Sequence, residues 1–390
     1  MGIKNLNRYL IDTCSSSSIA QISMSDLAGK KIAIDVSIYL YKFLGENTLI
    51  ESMYSMLVMF RHYNITPIFI FDGKPPDEKR ELITKRREEK MKCEKEYNRL
   101  KDSEKTTIEI QHTMDSLKKQ FVYVRRSHII EVKELIRSCG CTYYDAPQEA
   151  DELCVLLVTK KKVWACLSED MDMFVYGCTR VIRQISLLDH TAVLYHIPDI
   201  LTDLQMNQQE FREVCVLSGT DYNTNYHNDK HNLFSTMRLF GKYSNSISKS
   251  KPKPKSTDGV NGCDWRRKGG GVSRSSPSVD GGGIGFYEWL CCDNEQQHHH
   301  HHRHHLSKTM SINTDDCIAL KNIISMFDLS FVYEKHGMRD IIDSMSIKNS
   351  AIDKTMLLCI LEKNGFDYPQ PHCIYTRGDK SLAEHRLSLV

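Results

Sequence analysis

The sequence predicts an α/β fold: a mostly parallel central sheet flanked by helices. The first observation behind this is a repeated unit, a short apolar run closed by an acid. "KKIAIDVSIYLYKFL", from Lys30, reads as a strand ending at Asp35 and turning into a helix, and "ITPIFIFDGKPP" reads as a strand over Ile68 to Phe71 with Asp72 just past its end. The second is the order of elements in "HIIEVKELIRSCGCTYYDAPQEADELCVLLVTKKKVWACLSEDMDMF", which alternates helix, short strand, helix and strand. The third is composition. With 390 residues, 41% hydrophobic and 26% charged, the chain has the material for one large core or two smaller ones.

Charge decides little, because 52 Lys+Arg against 50 Asp+Glu leave a formal +2. Attraction to an acidic partner would therefore come from local clustering. Fourteen cysteines are scattered along the chain without a signal-peptide pattern at "MGIKNLNRYLI", so free thiols in a reducing compartment are expected. No apolar stretch approaches the roughly 20 residues of a membrane helix, and Leu6 stands where a myristoylation motif has Ser or Thr. No membrane partner is expected.

Acids gather where the sheet would present a ligand cleft, outside the carboxyl ends of its strands. Asp35 and Asp72 close two strands, and Glu149 and Asp151 open the helix "PQEADELCVLLV". Asp170 and Asp172 end a third strand, and Asp221 follows "FREVCVLSG". Each alone also reads as a turn residue or as an acid complementing a helix macrodipole. Converging, they repel: two unit charges about 4 Å apart cost roughly 4 kcal/mol at an effective dielectric near 20, so cations or protons must compensate. Hard oxygen donors select magnesium or manganese. "DEKRELITKRREEKMKCEKEYNRLKDSEK", Asp77 to Lys105, is a strong helix former with almost no apolar stripe, and it faces water on nearly all sides.

In order and spacing, "MGIKNL", "IAID", "FIFDGKPP", "YYDAPQEADELC", "LSEDMDMF" and "LSGTDY" resemble the flap endonuclease family, the structure-specific 5′ nucleases that include XPG. The resemblance covers about Met1 to Tyr222, with an echo in "DKTMLLCILEKNGFD" near Asp353. It implies a PIN-like nuclease core, a helical arch and a C-terminal helical DNA-binding region. It further implies two-metal-ion hydrolysis of DNA phosphodiesters at 5′ flaps or branches in replication and repair, with Mg2+ as cofactor and Mn2+ as substitute.

On the same resemblance, Asp35, Asp72, Glu149 and Asp151 hold one ion, and Asp170, Asp172 and Asp221 mainly the other. Asp172 is the most central. Lys79 and Arg86, two helical turns apart on one face, act on the scissile phosphate. Tyr41 stacks on the base beside the scissile bond, Gly219 and Asp221 belong to the substrate-binding turn, and Gly2 packs close to the site. Two alternatives stand beside this reading: a 5′→3′ exonuclease of the same superfamily, and a nonhydrolytic DNA-binding factor on the same fold.

The pattern also departs from the family. The glycine-rich turn that binds potassium in the helix–two-turn–helix motif is replaced by "GTDYNTNYHNDKHNLFSTMRLFGKYSNS", where Asn228 offers a left-handed turn and "NLFSTMRLF" a second helix. Asp35 and Asp72 are only 37 positions apart, with "GENTLIESM" where a longer wedge loop is usual. The expected organisation is a nuclease region with its arch at 1–105, a second nuclease region at 106–243, a low-complexity, disordered insertion at 244–307, and a helical region with tail at 308–390. The insertion holds "KSKPKPKS", readable as an import signal or a loose DNA contact, and a histidine run readable as opportunistic metal binding. The tail "AEHRLSLV" has no glutamine-plus-aromatic box for a sliding clamp. A monomer in the nucleus or another intracellular DNA-replication compartment is expected.

Overall fold

The computed structural model describes residues 2–103, 107–223, 232–250, 285–297, 312–334 and 337–366. The expectations for Asn228, for most of the lysine-rich tract, for the histidine run and for the C-terminal tail lie outside these residues.

The N-terminal half runs α1 (Leu6–Thr13), β1 (Ile19–Ser23), β2 (Lys31–Asp35), α2 (Val36–Gly45), α3 (Leu49–His62), β3 (Thr66–Phe71), α4 (Arg80–Lys101) and α5 (Ile108–Gln120). It continues through α6 (Arg126–Ser138), β4 (Thr142–Asp145), α7 (Ala150–Thr159), β5 (Ala165–Leu167), α8 (Asp172–Tyr176), β6 (Arg180–Ser186) and β7 (Thr191–His196). Helices follow: α9 (Ile197–Asp203), α10 (Gln208–Ser218), α11 (Leu233–Ser250), α12 (Phe286–Gln297), α13 (Thr314–Met326), α14 (Leu329–Glu334), α15 (Met338–Ser344) and α16 (Lys354–Lys363).

The sheet order is β1-β7-β6-β5-β2-β3-β4. Strands β6, β5, β2, β3 and β4 pair in parallel, and β7 and β1 add an antiparallel edge. The central strands β2, β3 and β5 are nearly all apolar because helices cover both faces, while β4 and β6 beside them carry polar and exposed residues. Side chains alternate accordingly: Ala33, Ile68, Ile70 and Cys166 enter one core, while Ile32, Ile34, Phe69, Phe71, Ala165 and Leu167 enter the other. The first core lies under α1, α7, α8 and α10. The second lies under α2, α3, α6 and α16, so the "DKTMLLCILEKNGFD" segment completes the nuclease body. Asp353 caps α16 and its backbone N–H donates to Ser138 O at 2.8 Å.

Several expectations are corrected. Strand β5 ends at Leu167, and Asp172 opens the short helix α8 rather than finishing a strand. The acids follow the strand through a turn in which the Asp170 N–H donates to Ser168 Oγ at 3.1 Å and the Asp172 N–H to Asp170 Oδ1 at 3.0 Å. The segment from Asp77 is a 3-10 turn, Asp77–Lys79, followed by α4, which stops at Lys101 and packs against the separate helix α5. The expected insertion is not featureless: α11 continues to Ser250, and α12 buries Phe286, Tyr287 and Leu290 in the first core. Aromatic contacts of Phe286 with Phe240 and Tyr243 hold α12 on α11. Among the described residues the cysteines, Cys154, Cys166 and Cys178 at the centre of the first core among them, are free thiols.

Candidate active site

Local chain chemistry brings the strand-end acids together. Asp35 is buried at the end of β2 and caps α2, its Oδ1 accepting from the Ser37 N–H at 3.1 Å while Oδ2 accepts from Ser168 Oγ at 2.9 Å. Asp72 follows β3 and accepts from Ser37 Oγ and, at 2.8 Å, from the Ala150 N–H in the first turn of α7. Thus one serine bridges the acids of two strands, and an acid of one strand anchors the helix that carries Glu149 and Asp151.

Gly73 lets these segments approach. Its N–H donates to Gln148 O at 2.6 Å, and a Cβ there would sit 2.0 Å from Ala146 O. Gly2 does the same beneath Asp170 and Asp172. At φ +77°, a Cβ would lie 2.6 Å from Asp172 Oδ1 and 2.8 Å from Asp170 Oδ1. The expected closeness of Gly2 to the acids is therefore present, and those two carboxylate oxygens crowd one small volume.

Asp221 is placed from the other side. Helix α10 ends at Gly219 (φ 105°), and Asn223 fastens the turn beyond it: its Oδ1 accepts from the Thr220 N–H at 2.5 Å and its Nδ2 donates to Val216 O at 2.7 Å. Gly219 thus supplies backbone freedom to the turn. The Asp221 carboxylate accepts from Arg86 Nη2 at 2.8 Å.

Lys79 and Arg86 reach the acids as ion pairs. Lys79, only 7% exposed, donates to both oxygens of Glu149 at 2.9 and 2.8 Å and lies 4.7 Å from the centre of the Tyr222 ring. The Tyr222 hydroxyl also donates to Glu149, at 3.2 Å. Burial works against the Lys79 charge, but Tyr222, Glu149, Asp172 and Asp151 hold its ammonium above the ordinary range. Tyr41, on α2, is half exposed, with the Lys90 ammonium 4.4 Å from its ring centre. Burial and Asp72 raise its phenol, and Arg86 lowers it.

The remaining charge is poorly compensated. Burial first and Asp72 second push the Asp35 carboxyl up to about 7. Asp151 and Asp172 are raised well above the usual carboxylate range, by burial and then by Asp170. Asp172 is 1% exposed, and its Oδ1 has no hydrogen-bond partner. A buried carboxylate oxygen left without a donor costs several kcal/mol unless something positive arrives, on the order of what a broken buried ion pair costs. Among the described residues no group of three or more Asp, Glu, His or Cys side chains is arranged as it stands to hold a metal ion; two of the seven carboxylates, Glu149 and Asp221, are paired with Lys79 and Arg86 instead. An all-oxygen donor set with one orphaned buried oxygen and three protonation-prone members fits hard divalent cations.

Hydrogen bonds and ion pairs join these residues in groups: Asp35 with Asp72 through Ser37, Asp170 with Asp172, Glu149 with Lys79 and Asp221 with Arg86. Sequence reasoning missed Ser37, Ser168, Tyr222 and Asn223. Ser37 and Ser168 stand within two residues of Asp35 and Asp170, and that proximity to an acid was the available signal.

Comparison with known proteins agrees with this architecture. The pattern of the XPG N-terminal domain matches residues 1–93 and that of the XPG I-region residues 140–221. Flap endonuclease 1 of Homo sapiens is 31% identical over 240 residues, which cover 57% of this chain and 62% of the relative. Flap endonuclease 1 of Mycosarcoma maydis is 34% identical over 245 residues, 57% of this chain and 63% of the relative. The chain therefore spans under two thirds of the length of these relatives. Among solved structures, the catalytic core of Rad2 in complex with DNA substrate aligns over 93% of this chain and 94% of that one, with a TM-score of 0.55 and 18% identity. The Holliday junction-resolving enzyme GEN1 in complex with product DNA and Mg2+ aligns over 93% and 73%, with a TM-score of 0.55 and 17% identity; both show the shared fold. With the N-terminal and internal regions both matched, residues 1–93 and 140–221 of this chain are similar to the XPG family that includes the flap endonucleases.

Proposed function

We propose that this chain is a structure-specific 5′ nuclease that hydrolyses DNA phosphodiesters at flaps or branches with two divalent ions, Mg2+ or in its place Mn2+. The observation that carries the reading is the orphaned Oδ1 of buried Asp172 within an acid cluster whose only described positive neighbours are a lysine and an arginine of the arch. Asp35, Asp72, Glu149 and Asp151 would hold one ion, and Asp170, Asp172 and Asp221 the other. When bound, such ions supply an activated water and neutralise charge on the phosphate and leaving oxygens.

The chain's own contribution is positioning. Lys79 and Arg86 now pair with Glu149 and Asp221; an entering phosphate offers them an alternative anion, so they exchange partners, orient the scissile phosphate and oppose its developing charge. Tyr41 stacks on the adjacent base. The Ser37 and Ser168 hydroxyls hold Asp35 and Asp72 in place without a protein general base. DNA is the expected partner, bound as a monomer in a compartment where DNA is replicated.

One observation favours a second emphasis. Only Glu46–Thr48 separates α2 from α3, which leaves no chain for the wedge loop expected to bind a 3′ flap. This supports a weak preference for double flaps and room for 5′→3′ exonuclease action. The test is cleavage of 5′-labelled single-flap, double-flap, nicked and blunt duplexes at fixed salt, in Mg2+ and in EDTA. Flap cleavage in Mg2+ alone, with little gain from the 3′ flap, is expected. Intact substrate throughout would leave the DNA-binding factor standing, and cleavage confined to blunt ends would leave the exonuclease.

A further inference from the structure

The path leading outward from Arg86 carries a second exposed aromatic ring. Arg86, Lys90 and Glu94 succeed one another at four-residue intervals on α4 and so share one face. Lys90 lies between two tyrosines: its ammonium is 4.4 Å from the centre of Tyr41 and 5.8 Å from that of Tyr123, in the link between α5 and α6. The same ammonium donates to Val122 O at 3.0 Å, which fixes it in that gap. The Tyr123 hydroxyl donates to Glu94 Oε2 at 2.9 Å, so the ring is tethered at its polar end while the residue stays 43% exposed, close to the 44% of Tyr41.

Packing does not explain this ring. No residue of α4 or α5 is buried, and Tyr123 contributes to neither apolar core. Large rings held at one edge and open to water beside a cation are what non-sequence-specific single-strand binders use: the cation tracks phosphate and each ring stacks a base. Tyr41 faces Lys90, one turn along α4 from Arg86, and Tyr123 is tethered to Glu94, one turn further along the same face.

We propose that Tyr123 is a second stacking platform, which with Lys90 and Tyr41 receives an unpaired nucleotide of a single-stranded DNA end beyond the one at the scissile bond. This rests on the nuclease reading and deepens it by naming a positioning residue on the strand's route. Stacking on a platform of this kind contributes about 1–3 kcal/mol per base, or roughly 5- to 150-fold in affinity.

The test uses the full chain with 2-aminopurine placed at successive flap positions, in EDTA for binding and in Mg2+ for single-turnover cleavage. Wild type should quench the fluorophore at one flap position beyond the junction. Tyr123→Ala should lose that quenching and raise the half-saturating flap concentration about tenfold, while the saturated rate and the affinity for a flapless nicked duplex change less than twofold. Tyr123→Phe keeps the ring and loses only the Glu94 bond, so it should behave as wild type. A Phe variant as weak as the Ala variant would mean that the hydroxyl tether, not stacking, matters, and would overturn the proposal. So would an Ala variant that binds flaps and quenches normally. Failure of the wild-type chain to cleave any flap in Mg2+ would instead overturn the parent reading, and the platform with it.

Discussion

The acid floor and the arch above it are built on opposite terms. On the floor, Asp35 and Asp72 are fixed by donors from Ser37, Ser168 and the Ala150 backbone, and the segments bearing them approach through Gly73 at distances no side chain would tolerate. In the arch, α4 buries none of its residues, and its exposed charges pair locally, as Arg99 does with Glu96 at i,i+3. The floor is held by the fold against its own repulsion. The arch is held by little beyond its helical propensity and its contact with α5, and its inward cations take their partners from the floor. Positions that matter on the floor should therefore be intolerant of any change, and those on the outer arch nearly indifferent.

The largest effect is expected from Asp172→Asn. Cleavage in Mg2+ should fall roughly a thousandfold or more, while DNA binding, which rests on cations, stays within a few-fold. Because the orphaned carboxylate strains the ion-free protein, the same variant should raise Tm in EDTA. Lower Tm together with lost cleavage would point to damaged folding instead.

Lys79→Ala comes next, since it joins floor to arch. Its single-turnover rate should drop about a hundredfold with modest loss of DNA affinity, and its Mn2+ affinity should rise several-fold as a competing charge leaves Glu149. An unchanged saturated rate with weakened binding would make Lys79 an ordinary phosphate contact.

A smaller effect follows from protons on the floor. Burial, then Asp72, lift Asp35 from the ordinary aspartate value near 4 to about 7, and Asp151 and Asp172 move in the same direction. The folded state then retains protons that the unfolded chain releases. That stability is fully present below about pH 4 and is lost as pH rises through 7. In EDTA, Tm should decline from pH 5 to pH 8, and saturating Mg2+ should flatten the decline by binding the folded carboxylates. A Tm that rises with pH in EDTA would break the comparison. The smallest effect is reserved for the outer arch: Arg99→Ala should leave both Tm and cleavage indistinguishable from wild type.

Much of the floor was legible because parallel strands covered on both faces read as uninterrupted apolar runs, so the first acid after each marks the ligand end of the sheet. Asp172 was legible as an acid beyond the end of β5 but not as the start of α8, since a five-residue helix following a turn leaves no periodic signature. Helix α5 escaped notice for a related reason: it buries nothing, so "IEIQHTMDSLKKQ" lacks the apolar stripe that announces a packed helix. Helix α12 was hidden by its surroundings, as "FYEWL" supplies only a few core side chains to a glycine- and serine-rich stretch whose average composition reads as unstructured. Ser37 and Ser168 reach the acids of other strands, Asp72 and Asp35, across long sequence separations that no local pattern encodes, whereas Asn223 fastens its own turn through Thr220 and Val216.

The measurement that bears most directly on the floor as a paired-ion site is titration of the ion-free chain with Mn2+, followed by electron paramagnetic resonance and calorimetry, for wild type and Asp172→Asn. Two bound ions per chain in the wild type, and at most one at the same concentrations in the variant, is the expected result. Equal Mn2+ binding by the two proteins, or none by the wild type, would contradict it.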